Sequence, residues 1–270
     1  MPEHSLRVAR ETFLYGHPLE AVGILETAVL DVYHSSRIQR GWTVLDIGAG
    51  IGDFAVVASR RVGPSGKVIA IEPAAQDFAF LQRNLARNRC RNVIAVQAAI
   101  SNREVEGVIE FKGVTTRVRT RALRDLLSEL GVEPQRIRFV KLDIEGAEKE
   151  VVPDSLRILS GCERIAIELH DGAGEILDPM MQRIGFVFRR LSRGRYLWKA
   201  ASFCLRHPVQ SVSVFRAVRQ SDAYHGILKF LRGMAITNSE ELVVGSYIRS
   251  RNLTDSNEST PEFSSCDELG

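Results

Sequence analysis

Three glycines at alternate positions, Gly48, Gly50 and Gly52, stand between Asp46 and Asp53 in the run VLDIGAGIGDF. An apolar strand running into such a loop places backbone N–H groups and the start of a helix against a ligand. A dinucleotide loop of the GxGxxG type needs its third glycine where this chain has Asp53. Two carboxylates flanking the loop would also repel a pyrophosphate. S-adenosylmethionine carries no phosphate, and its sulfonium and ammonium groups are cationic, so acids beside the loop favour it. The glycines would let the backbone approach its amino-acid part closely. Glu72, at the end of the next apolar run KVIAIEP, is placed to accept hydrogen bonds from ribose hydroxyls. Asp46, Gly48, Ala49, Gly50, Gly52, Glu72 and Ala99 are therefore the candidate cofactor contacts. The plainer alternative is a tight turn whose acids only cap helices.

A second group of carboxylates, Asp143, Glu145 and Glu148, lies in FVKLDIEGAE. Methyl transfer to a hydroxyl needs an oxygen aligned with the methyl group and a base for its proton. Asp143, at the carboxyl end of a strand, is the first candidate base. His170, at the end of RIAIELH, is the second, since an imidazole titrates near neutral pH. Asp143 could equally be a structural acid that orients the cofactor or a loop N–H. Glu145 completes the candidate catalytic set; the alternative for it and for Glu148 is to cap the following helix and face solvent. Glu168 could share the cleft. Acids of this kind also suit Mg²⁺, but no second acidic motif has ligand spacing, and no metal is expected.

The elements that must position these residues alternate between apolar runs and helical patterns, which indicates an α/β fold with a parallel sheet. A helix is expected over roughly 18–35, then strands at 43–47, 67–73, 92–100, 138–144, 164–170, 186–191 and 241–249. Helices follow Gly52, span 78–88 and 122–130, and end near Gly185; 101–121 reads as less regular. The organisation expected is an N-terminal helical segment (1–39), a cofactor-binding core (40–192), a basic helical insertion (193–240), a last core strand (241–251) and a disordered acidic tail (252–270).

VLDIGAGIGDFAVVAS, VIAIEP, the NLARN helix before NVIAVQAAIS, and above all FVKLDIEGAE resemble the FkbM family of S-adenosylmethionine-dependent methyltransferases. The resemblance covers roughly 40–192, with a looser match at 241–249. It implies a class I methyltransferase (Rossmann-like) fold, a seven-stranded, mostly parallel sheet with helices on both faces, and methylation of a hydroxyl oxygen, often on a sugar or polyketide. Gly50 stands where the family often has Asn, and the segment between the last two strands is unusually long.

Composition sets the remaining bounds. A 270-residue chain with 44% hydrophobic residues has room for one substantial core. It contains no run of eighteen uncharged apolar residues, no signal-peptide pattern at its start and no CxxC pair among four scattered cysteines. A cytoplasmic protein is the expectation. The net charge of +3 does not call for nucleic acid, but it hides an uneven distribution. Residues 193–233 hold eight basic residues against the single acid Asp222, interleaved with Tyr196, Trp198, Phe203 and Tyr224. Tyr224, Ile227, Leu228 and Leu231 would share a helical face. Such a segment suits an acceptor lid, a peripheral contact with acidic lipid, or a helical subdomain with solvated charges. Three functions stay open: O-methylation of a small-molecule or glycan acceptor, free or lipid-linked; an NAD-dependent oxidoreductase; or a cofactor-binding module without catalysis.

Overall fold

The computed structural model describes residues 3–111, 114–190, 193–219 and 242–250. The chain opens with a hairpin, β1 (His4–Val8) and β2 (Glu11–Tyr15), and not with a helical segment. Alternation explains it: Leu6, Val8, Phe13 and Tyr15 all turn one buried face to the core. The helix expected over 18–35 is shorter. It runs as α1 (Pro18–Ile24), capped by His17 and Glu20, continues in π-helical turns (Leu25–Leu30), and breaks at Asp31 in the left-handed conformation. A 3₁₀ turn at Ser35–Arg37 follows.

Next come β3 (Thr43–Ile47), α2 (Asp53–Val62), β4 (Lys67–Ile71), α3 (Ala75–Arg87) and β5 (Val93–Val96). The strand expected across 92–100 divides here, because β6 (Ala99–Ile100) leaves the large sheet to pair with β8 (Val114–Arg121). The stretch read as irregular is a hairpin of β7 (Glu106–Phe111) and β8, in which β-branched Val and Thr alternate with Arg. The remainder is α4 (Leu123–Glu129), β9 (Ile137–Leu142), α5 (Glu148–Leu159), β10 (Arg164–His170), α6 (Ala173–Arg183), β11 (Phe186–Arg190), α7 (Arg193–Arg206), α8 (Pro208–Arg219) and β12 (Leu242–Arg249). The basic insertion is thus helical through Arg219. The expected helical face at Tyr224–Leu231 and the acidic tail lie outside the described residues.

The large sheet has the order β11-β12-β10-β9-β3-β4-β5. All its strands run parallel except β12, which pairs antiparallel with both β10 and β11. This is the seven-stranded class I methyltransferase arrangement. Its connections reverse direction at β3, and the crevice that this opens beyond the carboxyl ends of β3, β4 and β9 is where open α/β sheets hold ligands.

Helices cover both faces, and side chains alternate between two cores. Leu45, Ile47, Val140, Leu142 and Ile167 face α4, α5 and α6. Val44, Phe139 and Ala166 face α1, α2, α3 and the N-terminal hairpin, where Tyr196 and Phe203 of α7 and Val214 of α8 also pack. Period two then puts Asp46, Lys141, Asp143 and Glu168 on that same second face. Asp46 and Lys141 are direct register partners across β3 and β9, and Lys141 stands opposite Ala166 across β9 and β10. The polar groups of the site therefore gather on one side of the sheet by strand register alone.

Candidate cofactor cleft and acceptor-side network

The glycine loop turns at the end of β3, where Gly48 and Ala49 donate their N–H groups to the Ile71 carbonyl. Gly48 has φ +76°, and a Cβ there would sit 1.7 Å from the Asp143 carbonyl oxygen, so only glycine lets this loop pass so close to the end of β9. Gly50, at φ +52°, has the opposite surroundings: a Cβ there meets nothing within 4 Å. Its side faces open space. Gly50 N–H donates to one Glu72 oxygen at 2.7 Å and Ala74 N–H to the other at 2.8 Å, fixing that carboxylate at the end of β4. Burial pushes Glu72 up to about 7 despite those two donors.

A cleft of about 450 Å³ opens beside this carboxylate. Gly48, Gly50, Glu72, Ala99, Asp143 and Glu145 line it, with Ile71, Ala98 and Ile100 forming an apolar wall. A carboxylate with free lone pairs, an apolar slot and a stretch of backbone without side chains fit the ribose, the base and the amino-acid part of S-adenosylmethionine. A larger hollow of about 1280 Å³ lies at the amino ends of β3 and β4, lined by Arg40, Lys67, Arg89 and Arg91, and holds none of the candidate residues.

The other candidate contacts stand behind the cleft and not on it. Ala49 is buried, and a Cβ on Gly52 would meet Leu81 Cδ1 at 2.4 Å, so Gly52 serves the packing of α2 on α3. Asp46 is fully buried, with its carboxylate 3.6 Å from the Lys141 ammonium. Burial pushes Asp46 up to about 7 even with that cation beside it. Lys141 itself is held charged: burial works against it, but Asp143 at 3.3 Å and Asp46 raise it above the ordinary lysine value. It also donates to the Gly48 carbonyl and lies 5.2 Å from the Tyr33 ring centroid. One buried lysine thus ties the glycine loop to the end of β9. Its signal in the sequence is a lysine in the middle of the apolar run FVKLDI, where a strand covered on both faces has no route to water.

Asp143 sits at the rim of the cleft, and its Oδ2 accepts from Tyr33 Oη at 3.1 Å as well as facing Lys141. Its Oδ1 has no hydrogen-bond partner among the described residues. Tyr33 Oη also lies 2.6 Å from Glu168 Oε1. A phenol has one proton, so it serves both carboxylates only if one of them carries a proton of its own. Glu168 meets that requirement, because burial and the nearby Asp143 charge push it well above the ordinary carboxylate range. Read in order, Glu168 donates to Tyr33 and Tyr33 to Asp143. Tyr33 has no local signal in the sequence: the contact with Glu168 spans 135 positions.

His170 and Glu148 depart from their expected roles. Glu148 does not face solvent; it is fully buried, accepts from Gly146 N–H at 3.1 Å and bonds His170 Nδ1 at 2.9 Å. That hydrogen bond, outweighing burial, raises His170 to about 9. At neutral pH the ring is an imidazolium and cannot take a proton, so the structure moves His170 from base to counter-ion. It lies 3.5 Å from Glu145, which has φ +51° and is exposed at the cleft mouth.

Elements outside the core pack over the side of the sheet that carries Asp143. Asp31, in its left-handed turn, accepts from Ser35, Ser36, Arg195 and Lys199. Burial opposes its charge, yet the Ser36 and Ser35 hydrogen bonds and the Lys199 ammonium bring it down to about 2. This ion pair fastens α7 to the segment that carries Tyr33.

Known proteins similar to this chain include several methyltransferases. A structure of the FkbM methyltransferase from Methylobacillus flagellatus KT is 18% identical with a TM-score of 0.40, covering 63% of this chain and 48% of that one. The precorrin-6y C5,15-methyltransferase of Geobacter metallireducens GS-15 is 21% identical with a TM-score of 0.43, covering 61% and 74%. Among curated proteins, the protein-L-isoaspartate O-methyltransferase of Methanothrix thermoacetophila is 41% identical over 56 residues, which is 21% of this chain and 27% of that protein. The chain thus spans about a quarter of the length of that relative. The model of the methyltransferase FkbM domain matches residues 46–191, from the aspartate before the glycine loop to the end of β11. Since that span is more than half of the chain, the protein belongs to the FkbM methyltransferase family, with S-adenosylmethionine as its cofactor.

Proposed function

We propose that the protein methylates a hydroxyl oxygen on a sugar, glycolipid or other small acceptor, with Asp143 as the group that receives the hydroxyl proton. The observation that carries this reading is the orientation of Asp143: Oδ2 is held by Tyr33 and Lys141, while Oδ1 is left without a partner at the rim of the cleft. When bound, S-adenosylmethionine supplies an electrophilic methyl group. Glu72 and the backbone at Gly48 and Gly50 are the residues that would hold it. Asp143 Oδ1 then accepts the hydrogen bond of the acceptor hydroxyl, orients its oxygen and takes its proton as the new bond forms. Lys141 and Tyr33 keep the carboxylate in place, and Glu168 stores a second proton within the same hydrogen-bonded chain.

Family membership removes the oxidoreductase alternative. A binding module without catalysis would have no need for a carboxylate with a spare acceptor lone pair at this position. Tyr33 and α7, with its aromatic and cationic residues, pack on the same side of the sheet as Asp143, which suits a hydroxylated acceptor carrying an anionic or lipid part more than a nucleic acid.

A screen of hydroxylated acceptors with methyl-labelled cofactor tests the proposal. Asp143→Asn should lower turnover about a hundredfold or more while S-adenosylhomocysteine still binds. Near-normal turnover in that variant would leave proximity and orientation as the source of the rate, and loss of cofactor binding would make Asp143 a structural acid.

A further inference from the structure

The helices α7 and α8 meet at His207 and Pro208, and their two sides differ sharply. The inner side buries Tyr196, Phe203, Val214, Ala217 and Val218 against the core. The outer side exposes Leu197, Trp198, Leu205, Val209 and Val212. Leu205 at 84% and Val209 at 81% exposure flank the corner itself, the most exposed of the large apolar side chains among the described residues. Residues 193–219 contain no Asp or Glu. Arg206, Arg216 and Arg219 are exposed around the apolar side chains. A solvated helix pair would carry both charge signs on its outer side. Here the charged side chains on the two helices that carry the apolar tips are cations alone.

We propose that this corner docks on anionic lipid bilayers, with Leu205 and Val209 entering the headgroup region, Trp198 at the interface, and Arg206, Arg216 and Arg219 meeting lipid phosphates. Charge complementarity selects this occupant. A second copy would bring arginines against arginines, which opposes self-association. The inner cations are not available for the membrane, since Arg195 and Lys199 bond Asp31. Through Asp31 the docked helix is joined to the segment bearing Tyr33. The inference goes beyond the methyl-transfer proposal and does not depend on it.

The test is sedimentation of the full chain with vesicles of phosphatidylcholine alone and of phosphatidylcholine mixed with phosphatidylglycerol. Binding should require the anionic lipid and fall with salt. Replacing each of Arg206, Arg216 and Arg219 by Gln should weaken it about fivefold per site, and Leu205→Asp with Val209→Asp should weaken it by roughly tenfold or more. Because the chain has two tryptophans, a Trp42→Phe background makes Trp198 fluorescence a local probe, and a blue shift on vesicle binding is expected. Unchanged S-adenosylhomocysteine affinity in calorimetry establishes that each variant is folded. Failure to sediment with anionic vesicles, or sedimentation unaffected by these substitutions, overturns the proposal. So does light scattering that shows a dimer dissociated by Leu205→Asp, which would make the corner an interface between copies.

Discussion

Replacing Lys141 by Met probes the buried charge cluster with little change in side-chain volume. The ammonium is 3.6 Å from Asp46 and 3.3 Å from Asp143. At an effective dielectric constant of about 20 each pair is worth about 4–5 kcal/mol before desolvation is counted. Desolvation of the lysine returns much of that, so removing one partner is expected to cost a net of about 3–5 kcal/mol. The pH dependence separates the two contributions. Asp46 titrates at about 7 in the folded protein, so at pH 5.5 it is already protonated and needs no counter-ion. The loss at that pH comes from Asp143 and the Gly48 carbonyl, about 1–3 kcal/mol. Above pH 7 the variant must keep Asp46 protonated without help, and each further pH unit adds about 1.4 kcal/mol. Urea unfolding of both proteins at pH 5.5 and pH 8 measures this directly. A loss below about 1 kcal/mol at both pH values, or an equal loss at the two, would refute the argument that Lys141 balances Asp46.

Other perturbations address the cleft and the second ion pair. Glu72→Gln should weaken S-adenosylhomocysteine binding by about 1–3 kcal/mol in calorimetry, and unchanged affinity would take Glu72 out of the site. Gly48→Val and Gly50→Val should separate in a thermal melt: both strain a positive-φ backbone, but the first also drives a Cβ into the Asp143 carbonyl and lowers the melting temperature far more, while the second meets no atom and blocks cofactor binding in a protein that still folds. Because His170 is raised to about 9 from an ordinary value near 6.5, its stabilising contribution is complete below pH 6.5 and is lost as pH rises through 9. His170→Gln should flatten the stability profile across that window, and an unchanged slope would show that the Glu148 hydrogen bond does not control the titration.

The strands β3, β4, β9 and β10 were legible because each is a short apolar run closed within two residues by Gly, Pro or Asp, and the core strand boundaries fall within a few residues of expectation. The N-terminal hairpin was not, since Leu6, Val8, Phe13 and Tyr15 are spaced among charged residues that dilute the alternation. The hairpin at 106–121 hid for a related reason: alternate arginines made a strand-forming Val/Thr stretch read as irregular. Among the glycines, the pattern singled out the loop but could not rank its members. All three glycines read as making room for the ligand, yet the missing Cβ of Gly48 makes room for the Asp143 backbone, and the open side belongs to Gly50. Lys141, Glu148 and Tyr33 were harder still. Their roles depend on which side chains lie opposite them across the sheet or from a distant helix, and only the folded register determines that.

That division follows the two halves of the site. Every residue that lines the cofactor cleft lies within the span matching the FkbM domain, 46–191. Much of the network behind Asp143 lies outside it: Tyr33, which holds Asp143, Asp31, which anchors α7, and Arg195, Tyr196 and Lys199. Family membership therefore accounts for the cofactor and for methyl transfer, while Tyr33, Asp31 and α7 lie in segments that the family match does not cover. The two are coupled through a single hydroxyl. Tyr33→Phe removes the bond to Asp143 and the bond to Glu168 together and leaves the aromatic packing with Phe54 in place. If the acceptor side is built as argued, that variant should bind S-adenosylhomocysteine normally and lose turnover with its best acceptor. Equal loss of cofactor affinity and turnover would mean that the two halves are not separate.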